Sequence, residues 1–191
     1  MHRPHLELAR YYWTEAMILG GIAIDATCGN GQDTLKICQL ALNSPEGHVY
    51  ALDIQPEALD TTRLLLSQHL SEEKMRRVSL LQQCHSSFPS TLKPQSIRLI
   101  VYNLGYLPRG NKTLTTQTST TLESLAKGLQ LIQPGGMISL MCYPGHDEGA
   151  REEEALLKAV EPLSRSEWTC LHHRWINRQR GPSLLLLQLN K

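Results

Sequence analysis

The tetrapeptide NLGY, residues 103–106, follows an apolar run and carries groups that can hold an amine. The side-chain oxygen of Asn103 and the backbone carbonyl of Leu104 can both accept hydrogen bonds from an N–H group. Such acceptors orient the nitrogen and favour the positive charge that develops on it during attack. Tyr106 can pack against a nucleobase or a sugar. The plainer alternative is an asparagine that ends a strand and starts a turn, with Tyr106 in the core.

The segment DATCGNGQDT, residues 25–34, has the features of a loop that approaches a ligand. Gly29 and Gly31 let the backbone come close to a ligand just before a helix begins. The dinucleotide fingerprint G-x-G-x-x-G needs a third glycine where Thr34 stands. An acidic residue in the motif suits a cation better than a pyrophosphate, so we expect Asp25 to orient the loop and contact an amino group. A glycine turn that merely connects a strand to a helix is the alternative.

Asp53 ends a second apolar run, about 20 residues after the glycine loop, where an acidic residue commonly grips the hydroxyl pair of a ribose. Ile54 and Gln55 would then border the base. The alternative is an aspartate that caps the next helix, which Pro56 starts. Because the loop and the acid occur together at the right separation, the sequence predicts a nucleoside site.

Two more apolar runs are followed by polar residues. Cys84, His85 and Ser86 follow the third apolar run, at a place where a polar side chain can bond the edge of the base. A surface loop position for His85 agrees equally well with the sequence. His146 lies in a Pro-Gly turn after the fifth run. Histidine titrates near neutrality, so His146 is a candidate general base, a role worth roughly 10²–10⁴ in rate. A structural or solvent-facing histidine is the alternative.

The elements that position these groups alternate between strand and helix patterns. Strand patterns cover 22–27, 48–54, 78–83, 97–104 and 137–143, and helix patterns cover 33–42, 55–70, 119–132 and 149–163. Residues 134–136, Pro-Gly-Gly, stop the third of these helices. Residues 167–177 and 183–191 predict a hairpin around the turn 178–182. This alternation predicts a mostly parallel sheet covered on both faces, with ligands at the carboxyl ends of the strands.

The length, net charge and cysteine content of the chain limit the class of protein to which it can belong. A chain of 191 residues predicts one domain, residues 1–191. Its net charge of +1 means that any nucleic acid would need a local basic patch.

Five scattered cysteines without a C-x-x-C pair favour a reducing compartment, so we expect a cytoplasmic protein, or one inside an organelle if the source is a plant. The polar N-terminal stretch does not resemble a signal peptide, and no apolar run approaches the ~20 residues of a membrane span. A metal site is not expected, because no third ligand is spaced with His146 and Asp147.

Five segments together resemble the putative rRNA methylase family of bacteria and plants. They are IDATCGNGQDT, ALDIQPEAL, NLGYLPRGNKTLTT, YPGHDEG and INRQRGP, and the resemblance runs from about residue 15 to 190. It implies a Rossmann-like, S-adenosylmethionine-dependent methyltransferase whose seven-stranded, mostly parallel sheet has helices on both faces and a C-terminal antiparallel hairpin. NLGY has the spacing of the N-P-P-Y motif of amino-group methyltransferases, although leucine and glycine replace the two prolines and make the loop less rigid.

Characterised members of the family are similar to tRNA methyltransferases that act on the aminomethyl nitrogen at carbon 5 of the wobble uridine or 2-thiouridine. The resemblance implies cofactor contacts at Asp25, Gly29, Gly31, Asp33, Asp53, Gln55, His85 and Asn103. Further candidates for cofactor contacts at the same strand ends are Thr27, Asn30, Thr34, Ile54 and Ser86. It implies a methyl-transfer site at Asn103, Leu104, Tyr106 and His146.

The expected partner is tRNA, bound through its anticodon stem-loop. Candidate RNA contacts are Arg109, Lys112, Tyr143, Arg174, Arg178 and Arg180, with Trp175 nearby; arginines and aromatics suit splayed, single-stranded bases. A solvated hairpin with a buried tryptophan is the alternative. The threonines and serine of 113–121 would cap the next helix and line the substrate mouth. The alternative functions are methylation of an rRNA base, methylation of a small amine, and non-catalytic binding of a nucleoside. A homodimer is also left open.

Overall fold

A seven-stranded sheet organises residues 4–106 and 115–191, the part of the chain that the computed structural model describes. Its strands are β1 (Ile22–Asp25), β2 (His48–Asp53), β3 (Val78–Gln82), β4 (Ile97–Asn103), β5 (Ile132–Cys142), β6 (Trp168–His173) and β7 (Ser183–Leu189). Their order across the sheet is β3-β2-β1-β4-β5-β7-β6. β1 to β5 are parallel, and β7 lies antiparallel between β5 and β6. The predicted fold class is confirmed.

Within the described residues, six helices accompany the sheet. They are α1 (Pro4–Ala16), α2 (Gln32–Ala41), α3 (Pro56–His69), α4 (Glu72–Met75), α5 (Thr118–Leu131) and α6 (Asp147–Val160). Successive strand residues face opposite sides. In β7, Leu184 and Leu186 therefore join the core under α1 and α2, whereas Leu185 and Leu187 join the core under α5 and α6. The middle strands of the sheet are thus buried on both faces.

Helix α1 is an element that our sequence analysis did not predict. It buries Leu6, Ala9, Trp13 and Ala16, whose spacing of three and four places them on one helical face. Trp13 Nε1 donates to Ser139 Oγ in β5 at 2.9 Å, which ties the start of the chain to the middle of the sheet. The resulting position of α1 brings it close to the strand ends that matter for function.

Two boundaries differ from the predicted ones. The Pro-Gly-Gly segment lies inside β5 instead of before it, because Ile132 already pairs with Ile97 and the register then shifts. A Cβ on Gly136 would lie 2.9 Å from the Arg98 carbonyl oxygen, so the irregular strand needs glycine there. The C-terminal connection is longer than the predicted turn, since β6 ends at His173 and β7 begins at Ser183.

Among the described residues, no helix is long and apolar enough to cross a bilayer. All five cysteines are free thiols.

Candidate active site

A cavity of about 1410 Å³ opens at the carboxyl ends of β1, β2, β4 and β5. The parallel arrangement brings these ends to one edge of the sheet, as expected for a ligand site. Of the predicted residues, the cavity is lined by Thr27, Gly29, Asn30, Asp33, Asp53, Ile54, Gln55, His85, Asn103, Leu104, Tyr106, Tyr143, His146 and Arg180. Helix α1 adds His5, Leu6, Glu7 and Arg10, which our sequence analysis missed.

Asp25 lies beneath the glycine loop instead of in the cavity. Its side chain is 1% exposed, and it accepts hydrogen bonds from Thr27 N at 3.2 Å and Thr34 Oγ1 at 2.6 Å. Burial raises the pKa of Asp25 to about 7, against the lowering effect of those two bonds. This position supports the predicted orienting role, but it does not support a direct contact with a ligand amino group. Thr34 is likewise fully buried under the loop.

The two glycines of the loop have different reasons for being glycine. Gly29 lines the cavity, and its N–H donates to Asp53 Oδ2 at 2.9 Å. Gly31 has φ of 79°, and a Cβ there would lie 2.8 Å from Thr62 Oγ1 of α3. The close approach at Gly31 is therefore between two parts of the protein, and our expectation of a ligand contact there is not supported.

Asp53 is oriented by the backbone around it. Gly29 N donates to its Oδ2 and Gln55 N donates to its Oδ1, each at 2.9 Å. A carboxylate oxygen can accept more than one hydrogen bond, so both oxygens can still take a ribose hydroxyl. The capping alternative is not what is observed, because Gln55 is the N-cap of α3 and no side chain caps that helix.

Asp33, at the start of α2, joins two elements of the site. Its Oδ1 accepts from Arg10 of α1 at 2.8 Å, and its Oδ2 accepts from Asn103 Nδ2 at 3.1 Å. Because an ionised carboxylate only accepts, the nitrogen of the Asn103 amide must face Asp33. Asn103 Oδ1, the acceptor, is thereby left for other partners.

Hydrogen bonds to two threonines fix the backbone at the carboxyl end of β4. Asn103 N donates to Thr27 Oγ1 at 2.7 Å, and Gly105 N donates to Thr116 Oγ1 at 2.9 Å. Thr116 N donates in return to the Gly105 carbonyl at 3.0 Å. Gly105 has φ of 105°, a conformation that favours glycine. These bonds supply rigidity where the related N-P-P-Y motif has prolines. They also turn the Leu104 carbonyl away from Thr116, since C=O and N–H point in opposite directions across a trans peptide.

His146 is the N-cap of α6, and this use conflicts with a role as general base. Its Nδ1 accepts from Gly149 N at 3.1 Å. A neutral imidazole has one acceptor nitrogen and one N–H, so Nε2 carries the hydrogen. The lone pair that a base needs is already occupied, and the geometry does not support the predicted catalysis by His146. Its ring lies 6.1 Å from that of Tyr106 at the cavity.

The remaining predicted residues divide between the cavity edge and its surroundings. Ser86 does not line the cavity; its carbonyl accepts from Lys127 Nζ at 2.7 Å. Arg174 and Arg178 are exposed outside the cavity, and the Arg178 guanidinium stacks on Trp175 at 5.1 Å. Trp175 is half-buried. Arg109 and Lys112 lie outside the described residues.

The threonines of 113–121 were predicted to cap the next helix and to line the substrate mouth, and this prediction holds only in part. Gln117, not a threonine, is the N-cap of α5. Thr118 donates from both its backbone N and its hydroxyl to Glu148 Oε1, at 3.0 and 2.9 Å. Thr115, Thr116 and Thr120 line the cavity.

The chemistry of these groups fits S-adenosylmethionine. Asp53 offers acceptors for a ribose diol, the exposed side chain of Ile54 offers an apolar surface for the base, and Asp33 adds negative charge where a cationic ligand would lie. Among residues 4–106 and 115–191 there is no cluster of three or more side chains that could hold a metal ion.

Comparison with known sequences agrees with this fit. The model of a family described as "Putative rRNA methylase" matches residues 49–188. A protein of Arabidopsis thaliana named "tRNA (mnm(5)s(2)U34)-methyltransferase, chloroplastic" is 36% identical over 185 residues, which cover 95% of this chain and 68% of the relative.

Comparison with solved structures points the same way. A "putative methyltransferase" from Streptococcus mutans, solved in complex with S-adenosylhomocysteine (SAH), is 32% identical with a TM-score of 0.84 and 99% coverage of both chains. A "putative rRNA-methylase" from Clostridium thermocellum is 26% identical with a TM-score of 0.87, again with 99% coverage of both chains. A methyltransferase that was solved with SAH therefore shares this fold over nearly its whole length.

Proposed function

Because this chain belongs to the putative rRNA methylase family and is an S-adenosylmethionine-dependent methyltransferase, we propose that it methylates an amine on tRNA. The proposed acceptor is the nitrogen of the 5-aminomethyl group on the wobble uridine or 2-thiouridine. The name of the Arabidopsis relative supports this choice of substrate.

The observation that carries the proposal is the orientation of the Asn103 amide. Its nitrogen donates to Asp33, which leaves Oδ1 as an acceptor, and the next residue, Leu104, lines the same cavity. Two acceptors at one place suit a nucleophile that bears N–H groups and gains positive charge as it reacts. A carbon or hydroxyl nucleophile has no comparable need for both.

The proposed reaction is a single displacement. Bound S-adenosylmethionine supplies a methyl group whose leaving group is a neutral thioether. Asn103 Oδ1 and the Leu104 carbonyl accept from the amine and aim its lone pair, so the N–CH₃ bond forms as the C–S bond breaks. An alkylammonium must first lose a proton, and enclosure in the cavity favours this by lowering its pKa. Since His146 Nδ1 is occupied by Gly149, we assign the proton to solvent.

RNA would approach across Tyr106, Tyr143 and Arg180, which line the cavity from three different segments. Tyr106 is 41% exposed, and a partly exposed aromatic ring at the cavity suits packing against a base. Arg180 brings a permanent positive charge to the same side, which suits a phosphate. Exposed Arg174 and Arg178 extend the charge outward along the connection between β6 and β7.

The experiment is mass spectrometry of tRNA nucleosides after incubation with the protein and S-adenosylmethionine. We expect 5-methylaminomethyl(-2-thio)uridine to appear at the wobble position only when the aminomethyl group was present beforehand. The control is the same tRNA without that group, together with rRNA. Methylation of the control tRNA or of rRNA would contradict the proposed substrate while leaving the cofactor assignment intact.

Asn103→Ala tests the named residue. Turnover should be lost while SAH binding, measured by calorimetry, is largely kept. Near-normal turnover would contradict the role of Asn103. Cytoplasmic or organellar location and a homodimer stay predictions, and fractionation and light scattering would test them.

A further inference from the structure

A buried carboxylate outside the cavity bonds two threonines, and each of these lies within hydrogen-bonding distance of a residue that lines the cavity. Glu152 of α6 is 3% exposed. Its Oε1 accepts from Thr121 Oγ1 at 2.6 Å, and its Oε2 accepts from Thr116 Oγ1 at 2.9 Å. Burial raises the pKa of Glu152, whereas the bonds from Thr121 and Thr116 lower it. Both threonine hydroxyls are the donors in these bonds, so both oxygens of Glu152 act as acceptors.

The same Thr121 oxygen lies 3.3 Å from His85 Nε2. A hydroxyl has one hydrogen, and Thr121 gives it to Glu152, so the hydroxyl can only accept from the imidazole. His85 Nε2 must then carry a hydrogen. Burial lowers the pKa of His85 to about 4, so the ring is neutral at physiological pH and has a single N–H. Nδ1 is consequently an acceptor.

We propose that Glu152 is a positioning residue that holds His85, through Thr121, in the Nε2–H tautomer, so that Nδ1 offers the cavity an acceptor and selects a purine with an exocyclic amino group. His85 lines the cavity with Asp53 and Gln55, the residues at the nucleoside end. An amino group is a donor and matches this acceptor, whereas a 6-oxo group would present a second acceptor against it. The inference rests on the proposed placement of the cofactor's adenine at His85, and not on the identity of the RNA.

The second oxygen of Glu152 acts on the residues that follow β4. Thr116 donates to Glu152 Oε2 and accepts from Gly105 N, so the direction of the Leu104 carbonyl depends on the same carboxylate. A glutamine at 152 would present an N–H₂ to one of the two threonines. That threonine hydroxyl would then lose its acceptor, and its hydrogen would be free to turn elsewhere. A carboxylate, but not an amide, satisfies both threonine donors at once.

The test compares two ligands by calorimetry in the absence of RNA. One is SAH, and the other is S-inosylhomocysteine, in which oxygen replaces the 6-amino group. The wild type should prefer SAH by about tenfold or more, as expected for one matched against one mismatched hydrogen bond. In Thr121→Val, which keeps the side-chain shape, this preference should shrink to about two- or threefold. Glu152→Ala, which removes the acceptors of both threonines, should also reduce it.

Two matched controls separate the effect from a general loss of packing. Thr118→Val removes a threonine-to-glutamate bond between the same helices, α5 and α6, but Thr118 has no contact with His85 in the described structure; the ligand preference should stay at the wild-type value. Thr116→Val acts on the other oxygen of Glu152, so it should also keep the ligand preference, while it slows methyl transfer.

Nitrogen-15 NMR of the histidine rings gives a readout that does not depend on binding, with His85→Asn identifying the signal. We expect a neutral Nε2–H ring in the wild type and a loss of that pure state in Thr121→Val. An Nδ1–H ring in the wild type, equal affinity for the two ligands, or an unchanged preference in Thr121→Val would each overturn the proposal. A failure to methylate tRNA would instead affect the proposed function and leave these measurements unaltered.

Discussion

Asp33 and Asn103 are joined by a hydrogen bond of 3.1 Å between a carboxylate oxygen and an amide nitrogen. Through this contact, a residue of the glycine loop orients Asn103 in the proposed methyl-transfer site. Arg10 completes the arrangement by donating to the other oxygen of Asp33. The loop after β1, the exit of β4 and helix α1 thus form one connected unit.

Asp33→Asn should lower kcat while tRNA binding changes little. The introduced amide can donate towards Asn103, so the Asn103 amide is no longer obliged to present its oxygen to the substrate. We expect a loss of about ten- to hundredfold in single-turnover rate at saturating cofactor, the equivalent of one misplaced hydrogen bond to a developing charge. Asp60→Asn, an exposed acid on α3, is the matched control. An unchanged rate in Asp33→Asn would show that Asn103 is oriented by other means.

His146→Asn should retain most of the activity and the same dependence of kcat on pH. Asparagine can replace histidine as an N-cap, so α6 keeps its start, and no proton acceptor is lost because Nδ1 already serves the cap. His146→Ala should cost about 1 kcal/mol of stability through the lost cap. The measurements are pH–rate profiles and denaturant unfolding. A hundredfold loss in His146→Asn, with the acid limb of the profile gone, would restore the general-base role.

Asp25→Asn should change how stability depends on pH. The pKa of Asp25 is about 7 in the folded protein and 3.8 for an ordinary aspartate, so between these values the folded state holds a proton that the unfolded state has released. The free energy of unfolding of the wild type therefore carries a contribution that falls as pH rises through this window, by up to about 1.4 kcal/mol per pH unit. The variant lacks this contribution.

Urea unfolding of both proteins at pH 5 and pH 7 gives the measurement. His85, whose pKa is lowered to about 4, contributes in the opposite direction over an overlapping window, but it is present in both proteins and is removed by taking the difference. Parallel pH profiles for the wild type and Asp25→Asn would contradict the buried, protonated aspartate.

Arg180→Ala should weaken tRNA binding without affecting SAH binding. Removing one phosphate contact should raise the KM for tRNA by about tenfold and reduce the slope of log affinity against log salt by about one. Arg76→Ala is the control, because this arginine on the surface after α4 pairs with Glu72 and does not line the cavity. If both variants bind tRNA alike across salt concentrations, the RNA does not pass Arg180.

The strand ends could be predicted because each combines an apolar run with a polar residue at its carboxyl end. Asp53 and Asn103 are the last residues of β2 and β4, and their place at one edge follows from the parallel sheet alone. Helix α1 was harder, since Ala9 and Ala16 contribute weakly to its apolar face, and polar and aromatic residues are interspersed with them.

Contacts between distant side chains could not be predicted from local patterns. Glu152 stands in an acidic helical segment, where solvent exposure is the ordinary expectation, and only the fold brings Thr116 and Thr121 to it. Gly31 appeared suited to a ligand because Thr62 lies far along the chain. The state of the His146 ring likewise depends on the cap bond to Gly149, which sequence spacing does not specify.

The bond from Trp13 to Ser139 has a consequence for the order in which the enzyme is assembled. Helix α1 is translated before β5 and β7, yet it packs on both strands. The wall of the cavity that carries Arg10 can therefore close only after these two strands have left the ribosome. A nascent chain that already holds the glycine loop but not β7 lacks a complete pocket.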